Sequence, residues 1–183
     1  SAPHTAVLIG RFQPFHLGHL ALLQQALQAA RQVVIVLGSA HQARTPKNPF
    51  TWQERETLIL GCLPAADAAR VRCVPVRDYY DEPRWVPAVL AAVQAQVPAG
   101  ARIALVGPFK DTSSRYLARF PGWELLSLPR QGDFDGTPTR ERYWNLPELP
   151  QAQMWAQLNK LVPPFTANWL RQWQTTPAYE AMR

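Results

Sequence analysis

One turn near the start of the chain limits what it can fold into. The apolar run Ala6-Val7-Leu8-Ile9 ends at Gly10 and continues as Arg11-Phe12-Gln13-Pro14-Phe15-His16-Leu17-Gly18-His19, before a segment over residues 20–30 with helical periodicity. This is a first strand turning into a first helix, the position at which open α/β sheets bind nucleotides. Gly10 lets backbone approach a ligand closely, Arg11 brings a permanent charge, and Pro14 cannot extend the strand. His16 and His19 fall on one face of the first helical turn, where unpaired backbone N–H groups and the dipole favour an anion. The stretch is suited to phosphate. A zinc pair is the poorer reading, because the H-x-x-H spacing lacks the glutamate of H-E-x-x-H and no third ligand is nearby. Ordinary amphipathic-helix histidines would not account for the Gly, Arg and Pro in the same run.

At 183 residues the chain has room for one domain with a substantial core. No apolar run approaches the ~18 residues of a membrane span, and no basic-then-apolar leader opens the sequence, so the expected location is cytoplasmic, with no membrane partner. A net charge of +6 suits polyanionic ligands. The basic residues are dispersed rather than arrayed with aromatics, which favours nucleotides and gives no support for nucleic acid. Cys62 and Cys73 match no redox or zinc spacing and are expected to be buried small hydrophobes without chemistry.

Further along, residues 33–37 form a continuous apolar run, as in a strand buried on both faces. Gly38-Ser39-Ala40 ends it. Thr51-Trp52-Gln53-Glu54 reads as a capping box opening a helix to about Cys62. Arg55 in its first turn opposes the dipole, so it is placed either for a ligand or for a surface salt bridge with Glu54 or Glu56. Strands are expected at 71–76, 103–106 and 124–128, with helices at 86–97 and from the polar stretch 110–115 to about 119. That alternation predicts a Rossmann-like, doubly wound parallel sheet of about five strands with helices on both faces. Its crevice lies at the carboxyl ends of the strands. Thr137 and Pro138 open another helix after Gly136, with Arg140 on nearly the same face as Thr137, a second terminus suited to a phosphate chain. The sheet domain is expected over residues 1–146. Residues 147–183 read as a helical C-terminal extension, with short helices at 152–161, 167–173 and 178–183. Trp155, Trp169 and Trp173 are expected to pack this tail against the domain, or against a neighbouring copy in a homo-oligomer. The last segment has no clear C-cap, as expected of a fragment or of a linker to a further domain.

Together, the run Gly10 to His19, the segment Gly38-Ser39-Ala40 with Asn48-Pro49-Phe50 and Arg55, and Asp135-Gly136-Thr137-Pro138-Thr139-Arg140 resemble the nucleotidylyltransferase superfamily. That superfamily carries H-x-G-H after the first strand and S-S/G-T-x-x-R late in the domain. Asp135 stands where serine is usual, leaving Gly136, Thr137 and Arg140 as the correspondences. The expanded first motif with G-S-A and N-P-F is similar to archaeal-type nicotinamide mononucleotide adenylyltransferases, and to the adenylyltransferase domain of bifunctional proteins carrying a Nudix hydrolase. No Nudix signature lies in these residues, so such a domain is expected only beyond Arg183.

The resemblance implies transfer of AMP from ATP to nicotinamide mononucleotide, with NAD and pyrophosphate as products. It implies His16, His19 and Arg140 as catalytic groups. Gly10, Arg11, Phe12, Gly18, Gly136 and Thr137 would hold ATP. Gly38, Ser39, Lys47, Asp78 and Trp85 would serve the mononucleotide, with Trp85 stacking on the nicotinamide ring and Asp78 beside it. Mg²⁺ would be carried mainly by ATP phosphates, with no dedicated protein metal site. Lys110, Asp111, Ser113 and Ser114 either face the crevice or cap the next helix. Two alternatives stand beside this reading: another superfamily member using pantetheine phosphate, a flavin mononucleotide or a polyol phosphate, and a nucleotide-sensing module without turnover.

Overall fold

A computed structural model describes residues 2–107, 119–128, 136–145 and 150–183. Five strands, β1 (Thr5–Gly10), β2 (Gln32–Ala40), β3 (Val71–Arg77), β4 (Ile103–Gly107) and β5 (Glu124–Ser127), form one sheet in the order β3-β2-β1-β4-β5. Every pairing is parallel. The helices among the described residues are α1 (Leu17–Ala29), α2 (Trp52–Gly61), α3 (Ala65–Ala68), α4 (Glu82–Gln94), α5 (Thr137–Trp144), α6 (Gln151–Leu158), α7 (Pro164–Trp173) and α8 (Pro177–Met182).

The strand alternation explains the two-sided core. Ala6 and Leu8 of β1, with Val33, Ile35 and Leu37 of β2, pack against Leu23 and Leu27 of α1 and Leu58 and Ile59 of α2. The intervening Val7, Val34 and Val36 point the other way, against Val89 and Val93 of α4. Both faces of the central strands are therefore dry, which is why they read as unbroken apolar runs. Cys62 and Cys73 are partly rather than fully buried and border the first of these clusters. Burial pushes both thiols up, Cys73 to about 12, so neither supplies a thiolate at neutral pH.

Four helix starts differ from expectation. α4 begins at Glu82, not at residue 86, because Pro83 occupies a first-turn position where no N–H is needed. Pro87 lies inside α4, and the helix continues past it because Val89 and Val93 are wholly buried on the sheet. Trp85 is thus a residue of the first turn. In the tail, α6, α7 and α8 likewise start beside Pro150, Pro163 and Pro177, earlier than periodicity alone suggests.

The tail helices build a third apolar cluster, in which Tyr143, Met154, Trp155, Leu158, Leu170, Trp173 and Tyr179 surround Phe50 of the β2–α2 loop. Trp169 packs at its edge. The Tyr143 hydroxyl donates to the Leu170 carbonyl and the Tyr179 hydroxyl to the Tyr143 carbonyl, each at 2.6 Å, satisfying polar tips that burial would otherwise penalise. The Leu17 N–H, at the start of α1, donates to the Leu161 carbonyl at 3.0 Å. The tail therefore holds the terminus of the histidine helix. The expected helix from 110–115, Lys110, Asp111, Ser113, Ser114 and Asp135, and the boundary expected at 146–147 lie outside the described residues.

Candidate active site

The carboxyl ends of β1, β2 and β3 carry unusual backbone. Phe12, Ser39, His41 and Tyr80 have φ of 52°, 52°, 60° and 56°, in the left-handed region that costs a non-glycine residue energy. All of them follow or end one of these three strands, at the carboxyl end of a sheet whose order reverses between β1 and β4.

His16 is the N-cap of α1, with extended backbone (φ −125°, ψ −178°), and His19 is the third residue of the helix. The His16 Nδ1 accepts from the Gly18 N–H at 3.1 Å and the His19 N–H at 3.4 Å, while the His19 Nδ1 accepts from the His16 N–H at 3.3 Å. This is a capping box made with imidazoles in place of serine and glutamate. Because both Nδ1 atoms accept, the neutral rings carry their protons on Nε2. The rings stack at 3.6 Å between centroids with planes 15° apart, and Phe12 and Phe15 flank His19. Burial, and then the neighbouring His16, hold the His19 pKa well below the usual histidine value. At neutral pH it is a neutral hydrogen-bond donor.

Gly10 gives the Phe12 ring room, since a Cβ there would come within 3.1 Å of that ring, which folds back over the end of β1. Gln13 joins the loop to the rest of the molecule. Its buried side-chain amide donates to the Phe50 carbonyl at 3.1 Å and accepts from the Phe50 N–H at 3.0 Å. Its own carbonyl accepts from Arg140 Nη1 at 2.9 Å, and Arg140 Nη2 donates to the Thr137 hydroxyl at 3.2 Å. A Cβ on Gly136 would lie 2.8 Å from Arg140 Nη1 and 3.2 Å from the Gln13 carbonyl oxygen, so glycine is what admits this contact. His16, Gly18, His19, Gly136, Thr137 and Arg140 thus gather where the N-termini of α1 and α5 meet.

A second group lies across β2 and β3, where the Ser39 hydroxyl donates to Asp78 Oδ1 at 3.0 Å. Gly38 lies against β1, with its Cβ position 3.6 Å from the Gly10 carbonyl. A cleft of about 430 Å³ opens beside Ser39, bordered by His41, Arg44, Asn48 and Trp52. His16 and His19 are not among the residues that line it. Arg11 is exposed after β1 and Lys47 is exposed on the β2–α2 loop. Trp85 is half-buried, 6.1 Å from the Phe120 ring, and packs on the second core cluster. It belongs to the same sheet end as Asp78 but is also a packing residue.

Arg55 makes no surface salt bridge with Glu54 or Glu56, one of the two roles its sequence position allows, and it also lines the cleft. It is 1% exposed and donates not to Glu54 or Glu56 but to backbone: Nη1 to the Arg11 and Gly38 carbonyls, each at 2.7 Å, and Nε to the Thr51 carbonyl at 3.3 Å. Burial lowers its pKa to about 10, against the opposing pull of Asp78 and Glu54, so it remains cationic at neutral pH. Gln13 and Arg55 are the site residues whose roles the sequence did not disclose. The visible signal was a buried-type polar residue inside the first motif and a cation misplaced against its helix dipole.

The fold and the meeting of the two helix N-termini define a nucleotidyltransferase of the cytidylyltransferase-like class, and the profile described as Cytidylyltransferase-like matches residues 7–80. A nicotinamide/nicotinic acid mononucleotide adenylyltransferase of Acinetobacter baylyi is 44% identical over 139 residues, 75% of this chain and 74% of that protein. A nicotinamide-nucleotide adenylyltransferase of Thermoplasma volcanium is 34% identical over 76% of this chain and 75% of its own length. The chain belongs to the nicotinamide-nucleotide adenylyltransferase family. The crystal structure of a bifunctional NMN adenylyltransferase/ADP ribose pyrophosphatase from Francisella tularensis, complexed with AMP and a manganese ion, superposes with a TM-score of 0.81 at 30% identity. It covers 98% of this chain, which spans 52% of that one.

Proposed function

We propose that this chain transfers AMP from ATP to nicotinamide mononucleotide, forming NAD and pyrophosphate. The observation that carries the reading is the contact of Arg140 with the Gln13 carbonyl, which brings the late Gly136-Thr137-x-x-Arg140 signature onto the loop that carries His16 and His19. One phosphate chain can then span both helix termini.

The 5′-phosphate oxygen of the mononucleotide attacks the α-phosphorus of ATP in line. A P–O bond forms on one side as the bond to the bridging oxygen breaks on the other, and its electron pair leaves with pyrophosphate. No protein nucleophile is required, so catalysis rests on positioning and on donors aimed at developing charge. His16 and His19 present Nε2–H groups to the phosphates, with His19 at the α-phosphate. Arg140 and the N–H groups at Thr137 hold the β- and γ-phosphates against the α5 terminus. Gly10, Phe12 and Gly18 shape the ATP loop. Arg11 and Lys47, both exposed at the crevice edge, meet substrate phosphate, and Gly38, Ser39, Asp78 and Trp85 form the mononucleotide side. Trp85 offers an indole face to the cationic nicotinamide ring.

Among the described residues no group of three or more His, Cys, Asp or Glu is arranged to hold a metal ion. In the proposed reaction Mg²⁺ would arrive as the ATP complex, held chiefly by phosphate oxygens, and would offset leaving-group charge. Among the described residues no helix is long and apolar enough to cross a membrane. The test is incubation of purified protein with ATP, Mg²⁺ and nicotinamide mononucleotide, reading NAD and pyrophosphate. Equimolar formation of both is expected, and Trp85→Ala should raise KM for the mononucleotide about tenfold, about 1.4 kcal/mol of lost ring contact. An unchanged KM would remove Trp85 from the site, and absence of NAD with the wild-type protein would overturn the reaction.

A further inference from the structure

The two halves of the crevice belong to different loops. One runs from β1 into the first turn of α1 and carries Arg11, Gln13 and the histidines; the other runs from the irregular end of β2, at Gly38 and Ser39, to α2. Arg55 lies beneath both, on α2, and a single nitrogen of its guanidinium touches each. Nη1 donates at 2.7 Å to the carbonyl of Arg11 and at 2.7 Å to the carbonyl of Gly38. The second arm, Nε, returns to the Thr51 carbonyl at the cap of its own helix, fixing the side chain in place.

We propose that Arg55 is a positioning residue that clasps the ATP loop to the mononucleotide loop, and so sets the distance between the attacking phosphate and the α-phosphorus. This rests on the nucleotidyl-transfer reading given above.

The physical case has three parts. First, the carbonyls of Arg11 and Gly38 lie near the ends of adjacent strands and accept from one and the same nitrogen, so loss of Nη1 takes a donor from both together. Second, each clasped residue adjoins strained backbone. Arg11 precedes Phe12 (φ 52°) and Gly38 precedes Ser39 (φ 52°), conformations that persist only where the surroundings enforce them. Third, the Gly38 contact leads directly to Ser39, whose hydroxyl holds Asp78. The clasp therefore reaches the groups on both sides of the reacting centre from a side chain that is only 1% exposed, at the floor of the cleft beside Ser39. In-line transfer is sensitive to such placement, because a shift of about 1 Å can cost ~10²-fold.

The experiment compares Arg55→Lys and Arg55→Gln with wild type. Lysine keeps the charge but reaches one bond less far; glutamine removes the charge and falls shorter still. ATP affinity is measured by calorimetry on the protein alone, and both KM values by NAD formation. The expected result is graded: ATP binding and both KM values weaken three- to tenfold in the lysine variant and more than tenfold in the glutamine variant. Amide hydrogen exchange should rise at 11–15 and 38–42 together. A variant that melts earlier yet keeps wild-type ATP affinity and both KM values at 20 °C would reduce Arg55 to a stabilising residue and overturn the proposal. So would loosening confined to one loop. If Arg55→Gln fails to fold, Arg55→Lys decides by the same criteria. Calorimetry and exchange do not depend on which nucleotide accepts AMP, so an inactive wild type would refute the reaction while leaving the clasp tested.

Discussion

His19 works without a charge of its own. Buried and stacked on His16, it resists protonation, so in the folded state its pKa lies well below the unfolded value of about 6.5. The unfolded chain takes up a proton at this position first as the pH falls. Stability attributable to it is therefore intact above about pH 6.5 and is lost as the pH drops from there towards the depressed folded value. For catalysis the same shift means that kcat/KM, which reports the free enzyme, should show no limb from His19 titration between about pH 6.5 and 8. A fall in kcat/KM above about pH 6.5 that disappears in His19→Ala would show instead that the imidazolium is the active form. That variant should lower kcat about 100-fold, as expected for losing one donor to developing phosphate charge. A kcat within threefold of wild type would take His19 out of the reaction.

At the scale of elements, α2 is the one that ties the crevice to the rest of the chain. Its Thr51–Glu54 capping box is made in both directions, at 3.1 Å and 2.8 Å, and Glu54 also accepts from Arg44 and from Trp173 Nε1. Half-burial pushes the Glu54 carboxyl up, but the donors from Arg44, Thr51 and Trp173 outweigh it and the net pKa is lowered. A lowered carboxylate contributes stability above its unfolded value of about 4.3, and that contribution is lost as the pH falls through the folded value. Glu54→Gln should thus cost about 1–3 kcal/mol at pH 7, or about 2–4 °C of Tm per kcal/mol, and the gap should close below about pH 4. A Tm difference independent of pH would place the effect elsewhere. This cap was legible in Thr51-Trp52-Gln53-Glu54, because a capping box is a local pattern of four residues. The doubly buried strands were legible for the same reason, since Val33 to Leu37 display their burial in composition alone. Arg55 was not, because its partners are backbone carbonyls on two other loops, and no spacing within α2 records them. The start of α4 was hidden by Pro83, which reads as a breaker unless it is known to fall in a first turn.

On the scale of the whole molecule, the tail and the crevice are joined through Phe50. Trp173, 6% exposed, packs its ring 5.0 Å from that of Phe50 and donates to Glu54, while the Phe50 backbone holds both ends of the Gln13 amide. Gln13 in turn presents the carbonyl that Arg140 grips. Trp155 belongs to the same apolar cluster and is similarly buried at 7%, but its ring packs on Tyr143 at 6.5 Å and under Arg171, whereas the ring on Phe50 is that of Trp173. The two tryptophans therefore separate stability from site geometry. Each replaced by Ala should cost about 3–5 kcal/mol, the usual loss for an emptied aromatic site, and lower Tm by roughly 6–20 °C. At 20 °C, where the folded form still dominates, Trp173→Ala should raise KM for ATP severalfold because Phe50 no longer fixes Gln13 and, through it, Arg140. Trp155→Ala should leave that KM within twofold of wild type. Equal rises in the two variants would mean that the cluster acts on ATP only by loosening the fold as a whole, and the relay from Trp173 through Phe50 and Gln13 would fail.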